Sequence, residues 1–355
     1  MEEIPAYAAS GRGEHLFITF RKRGITTPDA LRMIAEALGV EARAAGAAGM
    51  KDRHAVTTQT ASFPVPMARD AEAAVRGIAI PGIEILAAAR HDNKLKPGHL
   101  IGNRFTIALR EVDANEAAGI VEKLGEIGRI GVPNAFGSQR FGRDGDNPAR
   151  AIAWLSGKER GPRDRRQQTM LFSALQSLLF NRVLQRREAA GTWAGVLPGD
   201  VAKKHDTGGL FTVPLEGPEM EDARARGEAG TLSATGPMFG AKMRWPEGEP
   251  AAIERAVLAE AGPEIRFEAW KHLGEGTRRA LRLLVAEMDA RVEPEGAGKV
   301  SVIVRFVLPK GGYATTVLGR ASRLIDATAP RGGRGPEAGP GAEPVDGASD
   351  DVQEP

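Results

Sequence analysis

Alternating apolar and polar positions predict strands near both ends of the chain. Leu16, Ile18 and Phe20 alternate with more polar neighbours, and residues 299–308 repeat this period of two. Such alternation is typical of a strand that buries one face. Two further strands are predicted, at residues 83–89 and 104–112.

Apolar residues spaced three and four apart predict helices between these strands. The first helix covers residues 27–38, with Thr27 as its N-cap and Gly39 at its end. The most amphipathic one covers residues 167–187 and follows a basic, Pro/Gly-containing linker that begins near Lys158. The change of composition there indicates a separate, inserted layer. Further helices are predicted at residues 115–130, with Asn115 as the cap, and at 218–226, 251–261 and 278–286.

Residues 49–59 (GMKDRHAVTTQ) place one carboxylate, Asp52, between two cations, Lys51 and Arg53. The ordinary interpretation is a solvated charge triplet on a surface turn. The functional interpretation is a catalytic carboxylate kept ionised by Lys51 or Arg53, because a nearby cation favours the charged form of an acid. Neighbours in an extended segment point opposite ways, so the sequence leaves open which cation would do so.

Residues 131–143 (GVPNAFGSQRFGR) combine loop-forming residues with groups that recognise bases. Three glycines and a proline argue against a continuous helix or strand. The loop carries the amide of Asn134, the guanidinium of Arg140 and the rings of Phe136 and Phe141. An amide matches the hydrogen-bonding edge of an unstacked base, and a ring stacks on its face. The alternative is that both rings only pin the loop to the core.

The composition excludes several classes of site. The absence of cysteine excludes disulfides, thiolate nucleophiles and cysteine-ligated metals. The six histidines lack metal-ligand spacing, so no metal site is predicted. No signal pattern and no membrane-length apolar run are present, and a cytoplasmic location is therefore predicted.

The net charge of +2 understates how basic the body of the chain is. Residues 331–355 contain two basic and six acidic residues, and the remaining 46 basic and 40 acidic residues give residues 1–330 a formal charge of about +6. Basic clusters at residues 21–23 and 163–166 suit a polyanionic partner, although a solvated surface is also consistent with them.

Five segments, taken in order, resemble the motifs of the TruD-type tRNA pseudouridine synthases. The resemblance extends over about residues 2–325, and the first and third segments are specific to that family. The segments are GMKDRHAVTTQ at 49–59, RHDNKLKPGHLIGNRF at 90–105, GVPNAFGSQRFG at 131–142, SALQSLLFN at 173–181 and LPKGGYATT at 308–316.

This resemblance implies roles for individual residues. Asp52 matches the family's catalytic aspartate, Asn134 and Phe136 match its uridine pocket, and Tyr313 matches the aromatic residue over the target base. The implied reaction is isomerisation of uridine to pseudouridine in tRNA, at position 13, with neither cofactor nor metal. The remaining predicted substrate-binding residues are Lys51, Arg53 and Arg140.

The resemblance also implies an α+β fold. A pseudouridine-synthase-like catalytic domain with a central, mostly antiparallel sheet would be interrupted by an inserted, mainly α second domain. The predicted bounds are residues 1–157 and 293–330 for the catalytic domain, 158–292 for the inserted domain, and 331–355 for a disordered acidic tail. The predicted partner is tRNA, with no membrane association and no obligate protein partner.

The chief alternative is a catalytically inactive RNA-binding or tRNA-folding protein on the same scaffold. A generic nucleotide-binding α/β protein fits less well, because no phosphate-binding glycine motif follows a predicted strand. The family also carries an earlier Lys-x-x-Pro-Glu-Asp-Phe segment, whose phenylalanine helps to bind uridine, and nothing here matches it. We therefore expect the natural start to lie upstream of Met1, and the inactive alternative gains weight if it does not.

Overall fold

The computed structural model describes residues 1–68, 70–262 and 264–325. These residues form two compact units. Unit one comprises residues 1–121 and 286–314, and unit two comprises residues 122–285 and 315–325. The predicted disordered tail lies outside the described residues, and the domain bounds at 157/158 and 292/293 stay predictions.

Strands and helices alternate irregularly along the chain, as in an α+β fold. The strands are β1 (Glu2–Pro5), β2 (His15–Lys22), β3 (Gly46–Ala47), β4 (Thr57–Pro64), β5 (Ile83–His91), β6 (Leu100–Asp113), β7 (Val132–Pro133), β8 (Val201–Lys204), β9 (Leu210–Thr212), β10 (Leu232–Met238), β11 (Thr277–Ala280), β12 (Arg282–Leu283), β13 (Ala286–Gly296) and β14 (Lys299–Pro309). The helices are α1 (Thr27–Leu38), α2 (Ala71–Val75), α3 (Ala114–Ile130), α4 (Asn147–Leu155), α5 (Arg165–Ala189), α6 (Pro218–Glu228), α7 (Gly248–Ala261) and α8 (Ala314–Ala321).

One eight-stranded sheet organises unit one. Its order is β13-β14-β6-β1-β4-β2-β5, with β3 paired to β4. Strands far apart in the chain meet where residues 299–309 of β14 pair with β6. Every described pairing in this sheet is antiparallel except that of β1 with β4. The predicted mostly antiparallel sheet is therefore confirmed, as are the strands predicted at 83–89, 104–112 and 299–308.

Helix α1 covers the apolar face of β2 over the predicted residues 27–38, and its N-cap differs by one residue from the prediction. The buried residues Leu16, Ile18 and Phe20 of β2 pack in one cluster with Ile34 of α1. The N-cap is Thr26, whose Oγ1 accepts from the Asp29 amide at 3.2 Å. Thr27 was predicted for that role but is the first helical residue, and its hydroxyl turns inward.

Asp113, at the end of β6, supplies the side chain that caps the next helix. Its Oδ1 accepts from the Asn115 amide at 3.0 Å, and α3 begins at Ala114. The prediction that Asn115 itself is the cap was wrong by two residues. The carboxylate satisfies a first-turn N–H that has no partner within the helix.

Helix α5 provides the centre of unit two. Its buried residues Leu171, Leu175, Leu179 and Val183 recur every four residues and pack in one cluster that also includes Trp154 of α4. A four-stranded sheet of order β11-β10-β8-β9 and a two-stranded sheet of β12 and β7 complete the unit. The amphipathic helix predicted at 167–187 is therefore present, extended by two residues at each end.

Residues 278–286 were predicted as a helix and are instead mostly extended. Strand β11 pairs with β10, and β12 pairs with β7. Alternation along β11 sends Arg278 into the core, where it forms a two-bond ion pair with buried Glu254, and leaves Arg279 half-buried. Pairing with strands distant in sequence overrides the local helical pattern. This correction changes the candidate site, because it brings Arg279 next to Asn134.

Candidate functional site

The candidate residues fall in two sets, one in each unit. In unit one, Asp52 lies on the loop between β3 and β4, and its side chain is exposed. Its Oδ1 accepts a hydrogen bond from the His54 amide at 2.8 Å. Such a bond between residues two apart forms a local turn, which holds the carboxylate against its own loop. Asp52 is thus an accessible carboxylate on a locally ordered backbone.

Lys22, at the end of β2, holds this loop from beneath. Only 1 % of it is exposed, and its Nζ donates to the carbonyl oxygens of Ile25, Lys51 and Asp52 at 2.7, 3.3 and 3.0 Å. Burial lowers the pKa of Lys22, and the charge of Asp52 opposes that shift. The ammonium therefore ties three main-chain oxygens together directly behind the exposed carboxylate.

Lys51 has a partner other than Asp52. Its Nζ lies 2.6 Å from Oε2 of Glu3 on β1, and both side chains are almost completely buried. Its amide donates to Thr27 Oγ1 at 2.9 Å, and that hydroxyl lies 3.0 Å from Gln59 Oε1. Within the described residues, no ion pair joins Asp52 to Lys51 or to the exposed Arg53. Lys51 thus anchors the loop to β1 and α1.

The burial of Lys22 has a signal in the sequence, the alternation along β2. Lys22 was counted with Arg21 and Arg23 as an exposed basic cluster. It has the same strand parity as Leu16, Ile18 and Phe20, which places it on the buried face of β2. Arg21, one residue earlier, points outward and pairs with Glu84 at 2.9 Å.

Tyr313 ends the tight turn that follows β14. The Gly312 amide donates to the Pro309 carbonyl at 3.1 Å, and Gly311 has a φ of 80°, in the left-handed region that favours glycine. Tyr313 itself is 56 % exposed. A ring so exposed is free to stack on a ligand.

In unit two, Asn134 is held at both ends of its amide. Its Nδ2 donates to the Ala280 carbonyl at 2.8 Å, and its Oδ1 accepts from Arg279 Nη2 at 2.6 Å. Its main-chain amide donates to the Leu281 carbonyl at 2.8 Å. One N–H and one lone pair of the side-chain amide remain for a ligand.

Phe136 lies among guanidinium groups and a second ring. The Arg279 guanidinium carbon is 4.1 Å from the Phe136 ring centroid, and that of Arg140 is 5.6 Å away. Phe180 of α5 meets the ring edge-on. The Asn181 side chain donates to the Phe136 carbonyl and accepts from its amide, both at 2.9 Å. The structure therefore brings together Asn134, Phe136 and Arg140 of the predicted site.

Arg279 is the residue of this cluster that the sequence analysis missed. It contacts both Asn134 and Phe136, yet it lay in a segment that was predicted as a helix. Read as a strand, the same segment would have set Arg278 and Arg279 on opposite faces. The partner of Arg279, 145 residues away along the chain, had no local signal at all.

Two further observations concern metals and membranes. Within the described ranges, no group of three or more His, Cys, Asp or Glu side chains is placed to hold a metal ion. None of the helices in those ranges combines the length and the apolar character that crossing a membrane requires.

Comparison with known proteins decides the family. The model of the family described as tRNA pseudouridine synthase D (TruD) matches residues 1–152 and 163–321. The chain belongs to the TruD family. Both candidate sets lie within the matched residues, so the resemblance inferred from the five segments is confirmed at the level of the whole chain.

Individual TruD relatives are similar over most of the chain. A protein of Anaeromyxobacter dehalogenans named tRNA pseudouridine synthase D is 45% identical over 336 residues, which cover 93% of this chain and 92% of the relative. A Thermus thermophilus protein of the same name is 41% identical over 321 residues, covering 90% and 84%.

A solved structure supports the fold. The crystal structure of a Methanosarcina mazei protein described as tRNA pseudouridine synthase D superposes with a TM-score of 0.72 and covers 91% of each chain. At 24% sequence identity, this likeness bears on the fold alone. The predicted α+β pseudouridine-synthase fold is confirmed.

Proposed function

We propose that this TruD-family enzyme converts uridine 13 of tRNA to pseudouridine, with Asp52 as the catalytic carboxylate and without a cofactor. Membership of the family makes the chain an RNA pseudouridine synthase, an isomerase, with tRNA as its substrate. The position in the tRNA, the role of Asp52 and the independence from a cofactor are the parts that we propose.

The reaction needs an accessible carboxylate and no redox chemistry. It breaks the bond between ribose C1′ and uracil N1, joins C1′ to C5, releases the C5 proton and adds one at N1. A carboxylate acts in such a step by attacking the sugar or the base covalently, or by removing a proton from the sugar. The observation that carries the proposal is the exposed Asp52 side chain on a loop tied down by Lys22 and Thr27.

The other predicted residues would bind the extruded nucleotide. Taking a uridine out of its stack costs a few kcal/mol. Stacking on an aromatic ring returns about 1–3 kcal/mol per base, and the exposed Tyr313 and the half-buried Phe136 offer such rings. Asn134 would meet the uracil edge with its remaining N–H and lone pair. Arg53 and Arg140 would contact the RNA, while Lys51 supports the loop from below.

The test replaces Asp52 with asparagine. We expect Asp52→Asn to abolish tritium release from tRNA that carries 5-tritiated uridine and to leave tRNA affinity near that of the wild type. Asp92→Asn is the matched control, because Asp92 is an exposed carboxylate of the same unit and its partner is Arg12. Undiminished release by Asp52→Asn would remove Asp52 from the mechanism.

The position and the alternative function need their own readouts. Mapping pseudouridine in tRNA treated with the wild-type chain should give one new site at position 13, and tRNA with cytidine there should release no tritium. Binding of tRNA by the wild type without any tritium release, with or without added metal ions, would instead support the inactive RNA-binding protein.

A further inference from the structure

Unit two contains a groove beside the loop that carries Phe136. The groove has a volume of about 350 Å³ and lies between a short 3-10 helix, Ser138–Phe141, and helices α4 and α5. That volume is within the range of about 300–1,000 Å³ that small-molecule sites occupy. Its main lining residues, which define the α4–α5 groove, are Phe141, Arg143, Pro148, Ile152, Leu178 and Arg182.

The lining of the α4–α5 groove joins an apolar wall to two cations. Phe141, Ile152 and Leu178 are partly buried, so each keeps some surface accessible. Arg143 and Arg182 stand at the same groove, and within the described residues neither has a carboxylate partner. A ring with two uncompensated guanidinium groups suits a ligand that has a flat face and a negative charge.

Other arginines of the neighbourhood are already neutralised or bonded. Arg150 on α4 pairs with Asp146 at 3.8 Å, and Arg187 on α5 pairs with Asp200 at 2.9 Å. Arg140 donates to Ser177 at 3.4 Å and faces Phe136. Among the residues that line the groove, Arg143 and Arg182 are the two cations, and no ion pair of the described residues includes either of them.

We propose that the α4–α5 groove binds one unpaired nucleotide of the tRNA other than the reacting uridine. The base lies against Phe141, Ile152 and Leu178, and Arg143 and Arg182 take the adjacent phosphates. This inference rests on the proposed function. The nucleotide is a different one because Asn134 and Phe136, the proposed uridine contacts of this unit, do not line the groove.

The phosphate part is tested by binding at several salt concentrations. We expect Arg143→Ala/Arg182→Ala to weaken the affinity of the full chain for unmodified tRNA roughly ten- to a hundred-fold at low salt. The slope of log K against log salt should fall by about 1 to 2, because two phosphate contacts are lost. Arg150→Ala is the matched control: it also removes an α4-region guanidinium, but one that is outside the groove and already paired, so affinity and slope should stay near wild type.

The base part is tested at Phe141. Phe141→Ala should weaken tRNA binding roughly ten-fold, and Phe141→Tyr should restore it, because stacking needs only a ring. Thermal melting of each variant, compared with the wild type, checks that the fold is kept. Equal loss in both Phe141 variants with an unchanged melting temperature would overturn the base contact.

Turnover separates this inference from the proposed function. At saturating tRNA, Arg143→Ala/Arg182→Ala should keep kcat within about two-fold and raise KM in parallel with the loss of affinity. If the double variant kept the affinity and the salt slope of the wild type, the proposed role of the groove would be wrong. Pseudouridine formation by the wild-type chain would still support the proposed function. Uridine monophosphate serves as the free-nucleotide probe. If it bound at micromolar concentration in a way that depends on Arg143 and Arg182, while replacing these arginines left tRNA binding unchanged, the groove would be a site for a free nucleotide. That result would overturn the inference.

Discussion

The Nζ atom of Lys22 lies 3.0 Å from the main-chain oxygen of Asp52 and donates a hydrogen bond to it. The same ammonium donates to Lys51 of the same loop and to Ile25, which lies between β2 and α1, so one buried side chain ties the Asp52 loop to the start of α1. A charged donor bonded to three oxygens is a rigid support, because charge-assisted hydrogen bonds are stronger than neutral ones. Lys22 is thus a positioning residue for Asp52.

We predict that Lys22→Met lowers kcat by at least ten-fold while KM for tRNA stays near that of the wild type. The methionine fills the same space but offers no donor, and the three carbonyl oxygens lose their partner. Each buried acceptor left unsatisfied costs roughly 1–3 kcal/mol, so the unfolding midpoint should also fall. The measurement is single- and multiple-turnover tritium release together with tRNA affinity.

Arg21→Met is the control for Lys22. It removes a cation from the adjacent residue of the same strand, but one that is exposed and paired with Glu84. This variant should change kcat by less than two-fold. If both variants lost activity equally, or if Lys22→Met raised KM alone, general charge rather than loop position would be responsible.

A second prediction concerns Arg279, which contacts both Asn134 and Phe136. Arg279→Ala should free the Asn134 amide oxygen and remove the cation from the Phe136 ring, an interaction of about 0.5–2 kcal/mol. We expect kcat/KM to fall by at least ten-fold, and Arg279→Lys to recover only part of it, because lysine lacks the planar fork. The measurement is steady-state tritium release with substrate tRNA.

Arg255 offers the matched control for this cation–π contact. Its guanidinium carbon lies 5.9 Å from the Trp245 ring centroid, in the same unit and on the exposed side of α7. Arg255→Ala should leave kcat/KM unchanged within two-fold. An unchanged value for Arg279→Ala as well would mean that Asn134 and Phe136 need no support, or are not in the site.

Local pattern predicted most elements of the fold, and long-range pairing decided what it missed. The alternation in β2 and the four-residue spacing in α5 appear in the structure as buried faces. The helix predicted at residues 278–286 was wrong, because a strand of a few residues is stabilised by partners such as β10, which lie far away in sequence. The same limit hid Arg279 from the candidate site, whereas Asp52 could be named as a candidate because its motif is local. Lys22 was predicted to be exposed for a different reason. Its position in the alternation of β2 indicates the buried face, but a lysine is rarely buried without a partner.

A third prediction concerns the exposed Tyr313. We expect Tyr313→Ala to lower kcat/KM by roughly five- to a hundred-fold, the range of one lost stacking contact. Tyr313→Phe should stay within about two-fold of the wild type, because the ring alone stacks. Both are compared in the tritium-release assay at sub-saturating tRNA. Equal losses in the two variants would show that the hydroxyl, not the ring, carries the role.

A fourth prediction concerns the ion pair of Arg278 and Glu254 in the core of unit two. Both side chains are almost fully buried, with Nη2–Oε1 and Nη1–Oε2 distances of 2.6 and 2.9 Å. Burial raises the pKa of Glu254, and the hydrogen bonds and charge of Arg278 oppose that rise. Arg278→Met leaves the carboxylate without its cation, which typically costs about 3–5 kcal/mol. We expect that loss of unfolding free energy near pH 7.

The sign of the pH dependence follows from the direction of the Glu254 shift. Without Arg278 the folded-state pKa of Glu254 rises further, so the folded state holds a proton that the unfolded chain has released. Stability is then fully present below the ordinary glutamate pKa and is lost as pH rises through the raised folded pKa. The difference in unfolding free energy between Arg278→Met and the wild type should therefore become smaller on acidification toward pH 4.

The measurement is urea unfolding followed by tryptophan fluorescence. All four tryptophans belong to unit two, so their fluorescence follows this unit alone. Arg278→Met/Glu254→Leu removes both charges, so it should recover part of the loss and should not show the pH dependence that the orphaned Glu254 carboxyl causes in Arg278→Met. If the loss in Arg278→Met were equally large at pH 4 and pH 8, lost packing and not the orphaned carboxylate would be what destabilises the unit.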